Sequence, residues 1–159
     1  MIKEDTKLNR GFEILPEFKD KVTKLEAELG ISFIPQRATK GSSGYDIRTI
    51  EDVILQPGEI IMVPTGLTAK MLGDEELQLR GRSGLSRKGL CLANGTGTVD
   101  SDYYGQHIQF IYANRGSATI ELKAGDRVGQ GIFAKYLTTD NDSPLKDERV
   151  GGFGSSGKS

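Results

Sequence analysis

Gln106-His-Ile-Gln-Phe-Ile-Tyr-Ala113 sets Ile108, Phe110 and Tyr112 against His107, Gln109 and Ile111 in strict alternation. A period of two residues is that of a β-strand whose two faces meet different surroundings. Working outward, the same short apolar units recur: Val53–Leu55, Glu59–Val63, Leu67–Met71 and Leu77–Leu79 before it, Thr119–Leu122 and Val128–Leu137 after it. Gln56-Pro-Gly58, Pro64-Thr-Gly66 and Gly73-Asp-Glu-Glu76 separate them as turns. Further upstream, Gly11–Leu15, Ile31–Ile34 and Tyr45–Ile50 read as strands. Many short strands at this spacing predict an all-β sandwich or jelly roll.

One segment departs from that rhythm. Phe18, Val22, Leu25 and Leu29 recur at helical spacing among Lys and Glu, and Gly30 follows as a stop. Glu17–Leu29 is therefore read as the single helix. Its expected job is to cover one end of the barrel, and a protein partner could use its outer face.

Composition narrows the function. The 159 residues suit one domain, and 36% apolar content supplies a core without disulfides. The lone Cys91 has no partner, which favours a reducing, cytoplasmic setting, and it is read as a small buried hydrophobe. The charged N-terminus lacks the apolar run of a secretory signal, and no stretch reaches eighteen apolar residues, so neither export nor a membrane span is expected. A net charge of −1 with a pI near 5.9 argues against a nucleic-acid ligand.

Chemistry is concentrated in glycine-bounded polar segments between the strands. The richest is Asn94-Gly-Thr-Gly-Thr-Val-Asp-Ser-Asp-Tyr-Tyr-Gly-Gln106, read as a hairpin gripping a small molecule. Arg82-Ser83-Gly84 offers a guanidinium, a hydroxyl and unobstructed amides, a set suited to phosphate oxygens, although no Walker loop is present. One His, one Cys and no paired-ligand motif give no metal cage, and His107 in a strand is read as structural or solvent-facing. There remains a carboxylate, Asp100 or Asp102, acting on water beside arginines and amides, which describes phosphoanhydride hydrolysis.

In order and separation, five segments resemble the motifs of the trimeric dUTP pyrophosphatases (dUTPases). These are Ser43-Gly-Tyr-Asp-Ile47, Gly81-Arg-Ser-Gly-Leu85, Gly97-Thr-Val-Asp-Ser-Asp-Tyr-Tyr-Gly105, Gly125-Asp-Arg-Val-Gly-Gln130 and Gly151-Gly-Phe-Gly-Ser-Ser-Gly157. The resemblance implies a distorted jelly-roll subunit with one short N-terminal helix, assembled as a homotrimer with shared active sites. It divides the chain into an N-terminal strand and helix extension at 1–30, a jelly-roll core at 31–137 and a flexible arm at 138–159.

The resemblance also implies roles. Asp100 activates the water that attacks the α-phosphorus of dUTP. Asn94 with the backbone of Gly97, Thr98 and Val99 reads the uracil edge, while Tyr103 excludes a 2′-hydroxyl and Ile108 lines the nucleoside pocket. Arg82, Ser83 and Gly84 of a neighbouring chain, with Gln130, hold phosphates; Asp46 and Arg127 support them. Phe153 stacks on uracil and Arg149 reaches the γ-phosphate. Mg²⁺ is carried by the triphosphate and water without direct protein ligands. Arg149 stands four positions before Phe153 where many members have five. The fold-sharing dCTP deaminases need a catalytic glutamate and a different second motif, which this sequence does not supply.

Overall fold

The structure is a computed structural model and describes residues 8–149. Its eleven strands among these residues form two main antiparallel sheets and a small ribbon. The first sheet contains β1 (Gly11–Ile14), β5 (Ile60–Lys70), β7 (Leu90–Leu92) and β9 (Ile108–Asn114), in the order β1-β5-β9-β7. The second contains β2 (Gln36–Arg37), β3 (Tyr45–Arg48), β6 (Glu75–Arg80), β8 (Gly97–Asp100) and β11 (Arg127–Lys135), in the order β2-β3-β11-β6-β8. The ribbon pairs β4 (Val53–Leu55) with β10 (Ile120–Leu122). This is the predicted all-β jelly roll. No helix among the described residues is long and apolar enough to cross a membrane.

The core lies between the two main sheets. Ile108, Phe110 and Tyr112 of β9 are buried, and they meet Ile47, Leu77 and Val128 from the facing sheet in one apolar cluster. The rings of Phe110 and Tyr112 stack with centroids 5.4 Å apart. Gly129 sits beneath them, and a Cβ there would collide with the Phe110 ring. Tyr112 keeps its hydroxyl satisfied in this dry setting by donating to the Val128 carbonyl at 2.6 Å. Burial raises the pKa of that phenol.

The helix forms where its periodicity predicts. A 3-10 turn at Pro16–Phe18 leads into α1 (Lys19–Leu29), which ends at Gly30 with φ +66°. Its inner face buries Val22 against Phe33 and Ile50, a second cluster capping one end of the barrel.

Three strand expectations are corrected. Ile31–Ile34 is not a strand: it runs under α1, whose Glu26 carboxylate accepts the Phe33 amide at 2.8 Å, and Phe33 fills the small cluster. A local side-chain acceptor has replaced a sheet partner. Pro64-Thr-Gly66 is not a turn between two strands but a bulge inside the single strand β5. The supposed Asn94–Gln106 hairpin is not a paired hairpin either, since β8 pairs with β6 in one sheet and β9 with β5 and β7 in the other. The short strands β7 and β8 and the one-turn helix α2 (Ser83–Ser86) carry too few residues for a periodic signal. Cys91 is half-buried rather than buried, because β7 is an edge strand.

The β5 bulge is heavily tied. The Pro64 carbonyl accepts from the Ile50 amide and the Thr49 hydroxyl, the Gly66 carbonyl accepts from the Leu15 amide, and Thr65 Oγ1 donates to the Ile108 carbonyl at 2.6 Å. Gly66 holds φ +72°, a conformation that costs an L side chain about 1–2 kcal/mol. Gly66→Ala is expected to lower unfolding free energy by about that amount without altering the urea m-value, measured by equilibrium denaturation.

Candidate active site

The chain leaves the first sheet at Leu92 and enters the second at Gly97. Gly95, at φ +73°, makes the tight connection, with its amide donating to the Leu92 carbonyl at 3.1 Å. Because this loop spans two sheets, it opens a cleft at their mouth of about 580 Å³. Eight of the predicted site residues line it: Asn94, Gly97, Thr98, Val99, Asp100, Tyr103, Ile108 and Arg149. Gly97 is required by packing. Opposite it in the ladder stands Leu79, whose own Cβ would lie 2.9 Å from a Cβ at position 97.

Beyond β8 the chain makes a 3-10 turn at Ser101–Tyr103. The turn carries Asp102 and Tyr103 round to the mouth of the cleft. Asp100 and Asp102 are each about half exposed, at 50% and 52% of their side-chain area. Tyr103 is fixed by donating its hydroxyl to the His107 carbonyl at 2.9 Å, and burial raises its pKa while the nearby Arg149 charge opposes that rise.

Arg149 closes the cleft from the far end of the described chain. Its Nε donates to Asp102 Oδ1 at 2.9 Å, its Nη2 pairs with Asp100 Oδ2, and its guanidinium lies 5.8 Å from the centre of the Tyr103 ring. The Asp102 hydrogen bond foremost, opposed by burial and helped by the Asp100 charge, raises the pKa of Arg149. Phe153 lies outside the described residues.

A second cluster occupies another face. Arg82 Nε stands 3.4 Å from Asp46 Oδ1 and Arg127 Nη1 3.3 Å from Asp46 Oδ2, so one carboxylate aligns two guanidiniums. Gln130 donates to the Gly81 carbonyl at 3.1 Å, steadying the loop that carries Ser83 and Gly84, and its side chain fills the space where Gly44 has no Cβ. Arg82 and Arg127 line a separate cleft of about 420 Å³ together with Arg48 and Lys88. The chain thus sets Asp100, Asp102 and Arg149 in one place and Asp46, Arg82 and Arg127 in another.

Sequence reasoning missed Met62, Leu79, Gln109 and Ile111 in the carboxylate cleft and Arg48 in the basic one. Gln109 and Ile111 share a face of β9 by the alternation itself, and Arg48 shares a face of β3 with Asp46 two residues earlier. Both were accessible signals. Among the described residues, no group of three or more His, Cys, Asp or Glu side chains gathers as a metal cage.

These features define a jelly-roll protein with a cleft between its sheets that is lined by Asp100 and the Gly97–Val99 stretch, with Asp102 joined to it through Arg149. A family model described as dUTPase matches residues 32–157. The deoxyuridine 5′-triphosphate nucleotidohydrolase of Lactococcus lactis subsp. lactis is 41% identical over 155 residues, covering 93% of this chain and 97% of that protein. The protein of the same description from Nautilia profundicola is 39% identical over 145 residues, covering 88% and 99% respectively. Among solved structures, the dUTPase from Streptococcus mutans superposes with a TM-score of 0.71 at 36% identity, covering 82% of this chain and 98% of that one. The chain belongs to the dUTPase family. A mutant dUTPase from phage phi11 of S. aureus, whose structure details the coordination of a structural Mg(II) ion, shares the fold with a TM-score of 0.68 at 19% identity.

The contact at Gly97 gives a direct test of how the cleft wall is built. Gly97→Ala is expected to push β8 from β6 and cost about 1–3 kcal/mol in urea denaturation, whereas Gly41→Ala, where a Cβ meets nothing, is expected to cost little.

Proposed function

We propose that this protein hydrolyses dUTP to dUMP and pyrophosphate, with a water activated by Asp100 attacking the α-phosphorus. The observation that carries this reading is the placement of Asp100 at the end of β8, half exposed in a cleft that the Gly97–Val99 stretch helps to line, in a chain of the dUTPase family. A carboxylate anchored on a strand is held within reach of one water, and positioning supplies much of the barrier reduction.

The base lies along Gly97, Thr98 and Val99, with Asn94 beside it, so that backbone amides and carbonyls read the uracil edge. A cytosine offers the reverse donor and acceptor pattern and leaves those groups unpaired. Ile108 supplies the apolar wall, and Tyr103, its hydroxyl tied to the chain, leaves no room for a 2′-hydroxyl.

Arg82, Ser83, Gly84 and Gln130 are proposed to hold the phosphates, with Asp46 and Arg127 keeping the arginines aligned. Their separation from the carboxylate cleft within one chain supports a shared site, in which a neighbouring copy brings its basic cluster to this cleft in a homotrimer. On this reading residues 31–137 are the catalytic barrel, 138–159 the arm, and 1–30 an added N-terminal unit. Arg149 exchanges Asp100 and Asp102 for the γ-phosphate when the triphosphate binds, which leaves Asp100 free to take the proton from water. The side chains present suit Mg²⁺ carried by the substrate, because Asp100 and Asp102 are joined by no third ligand among the described residues. Bound to the triphosphate, that ion supplies neutralising charge for the leaving pyrophosphate. The expected setting is the cytoplasm.

A panel of dUTP, UTP, dCTP and dTTP, assayed for pyrophosphate with and without Mg²⁺, tests the reading. Turnover of dUTP alone, dependent on Mg²⁺, is expected; no turnover of dUTP by the wild type would sink the proposal. Asp100→Asn is expected to lower kcat by roughly a hundredfold to ten-thousandfold while leaving dUMP binding close to unchanged, measured by single-turnover kinetics and calorimetry.

A further inference from the structure

The chain has a single histidine, His107, and it lies between the sugar-contacting stretch and the N-terminal helix segment. Its Nε2 accepts the Gly66 amide at 2.9 Å, which requires the ring proton to sit on Nδ1. Its imidazole packs on Phe18 with ring centroids 4.6 Å apart. Its carbonyl accepts the Tyr103 hydroxyl at 2.9 Å, and the next residue is Ile108. Phe18 belongs to the Pro16–Phe18 turn, upstream of the family match, which begins at residue 32.

We infer that His107 is a positioning residue: held as a neutral acceptor between Phe18 and Gly66, it pins the Tyr103–Ile108 stretch to the β5 bulge and so sets the sugar and nucleoside wall of the cleft. The inference rests on the dUTPase reading above and adds to it a role for the N-terminal segment. Three further ties surround the same stretch. Thr65 Oγ1 donates to the Ile108 carbonyl at 2.6 Å, Thr68 Oγ1 accepts the Gly105 amide at 2.8 Å, and the Leu15 amide donates to the Gly66 carbonyl at 2.9 Å. Only the imidazole, among these, can lose its acceptor by taking a proton.

Charged neighbours face the ring from two sides. Glu17 lies on the Pro16–Phe18 turn and Glu51 on the loop after β3, the latter held by Lys21 of α1 at 2.9 Å. Burial lowers the His107 pKa below the ordinary imidazole value of 6.5, and the two glutamates partly oppose that. The sign follows. A histidine harder to protonate in the folded state favours folding above its unfolded pKa, and that contribution is lost as pH falls through the folded one. Protonation puts a hydrogen on Nε2 facing the Gly66 N–H, so the clamp is expected to open on the acid side.

Two measurements test this. The single imidazole Hε1 resonance is expected to titrate below 6.5 in the wild type, and at higher pH in Phe18→Ala, which uncovers the ring. A wild-type titration at or above 6.5, or no change in Phe18→Ala, would overturn the clamp, and this arm needs no turnover. In kinetics, His107→Leu keeps bulk without the acceptor. It is expected to raise KM for dUTP by roughly tenfold and lower the preference for dUTP over UTP by a similar factor, with kcat changed less than about threefold.

His107→Gln, whose amide oxygen can accept from Gly66, is expected to restore both at neutral pH and to abolish the rise in KM that the wild type shows as pH falls. A folded His107→Leu protein with wild-type KM and selectivity, or a Gln variant retaining the acid rise, would refute the positioning role. Should the Leu variant fail to fold, the pH comparison of Gln with wild type decides it. A wild type without dUTP turnover overturns the functional reading instead, so the two failures are distinguishable.

Discussion

The Pro64–Gly66 bulge in β5 is the constraint on which the rest of this molecule depends. A strand of eleven residues would otherwise run straight through the sheet, pairing β1 on one side and β9 on the other. Proline cannot donate to the ladder, and glycine at positive φ turns the next amide aside. Backbone groups released by the bulge are taken up by Thr49, Ile50, Leu15 and His107. These four residues come from three segments, so one local irregularity joins the N-terminal turn, the end of β3 and the start of β9. Leaving such groups unpaired in a buried setting would cost about 1–3 kcal/mol apiece, which explains why the region is closed by polar ties as well as by the Val22, Phe33 and Ile50 cluster.

The site shows a second economy, in which charge is distributed for orientation more than for stability. Arg82, Arg127 and Asp46 are partly exposed, and surface pairs of this kind contribute about 0–1 kcal/mol. What the shared Asp46 carboxylate does is hold the Arg82 and Arg127 guanidiniums side by side. Arg149 bridges Asp100 and Asp102 in the same manner, pre-placing a cation where negative charge is dense. The two clusters are separate within one chain, which is the observation behind the proposed site shared between copies.

Much of this was readable from residues alone. The alternation of Ile108, Phe110 and Tyr112 places them in the core, and the helical spacing of Phe18, Val22 and Leu25 places them against the barrel end. The glycine-bounded segments identify the cleft, and at Gly97 the need for glycine is steric, since a Cβ there would meet Leu79. What escaped was non-local. Pro64-Thr-Gly66 has turn chemistry whether it ends a strand or kinks one, and only pairing with β9 distinguishes the two. Ile31–Ile34 has strand composition, but the Glu26 carboxylate took the amide that a neighbouring strand would have taken.

The sequence by itself determined the fold class, the helix, the motif set and the chemical character of the cleft, because these follow from periodicity, glycine placement and side-chain type. Tertiary structure alone decided that the two arms of the Asn94–Gln106 stretch enter different sheets, that the Asp100, Asp102 and Arg149 cluster lies apart from the Asp46, Arg82 and Arg127 cluster, and that the single imidazole faces the Gly66 amide. The physical reason is common to all three. Each depends on which distant backbone groups pair, and hydrogen-bond partners across a sheet are chosen by the packing of the whole chain.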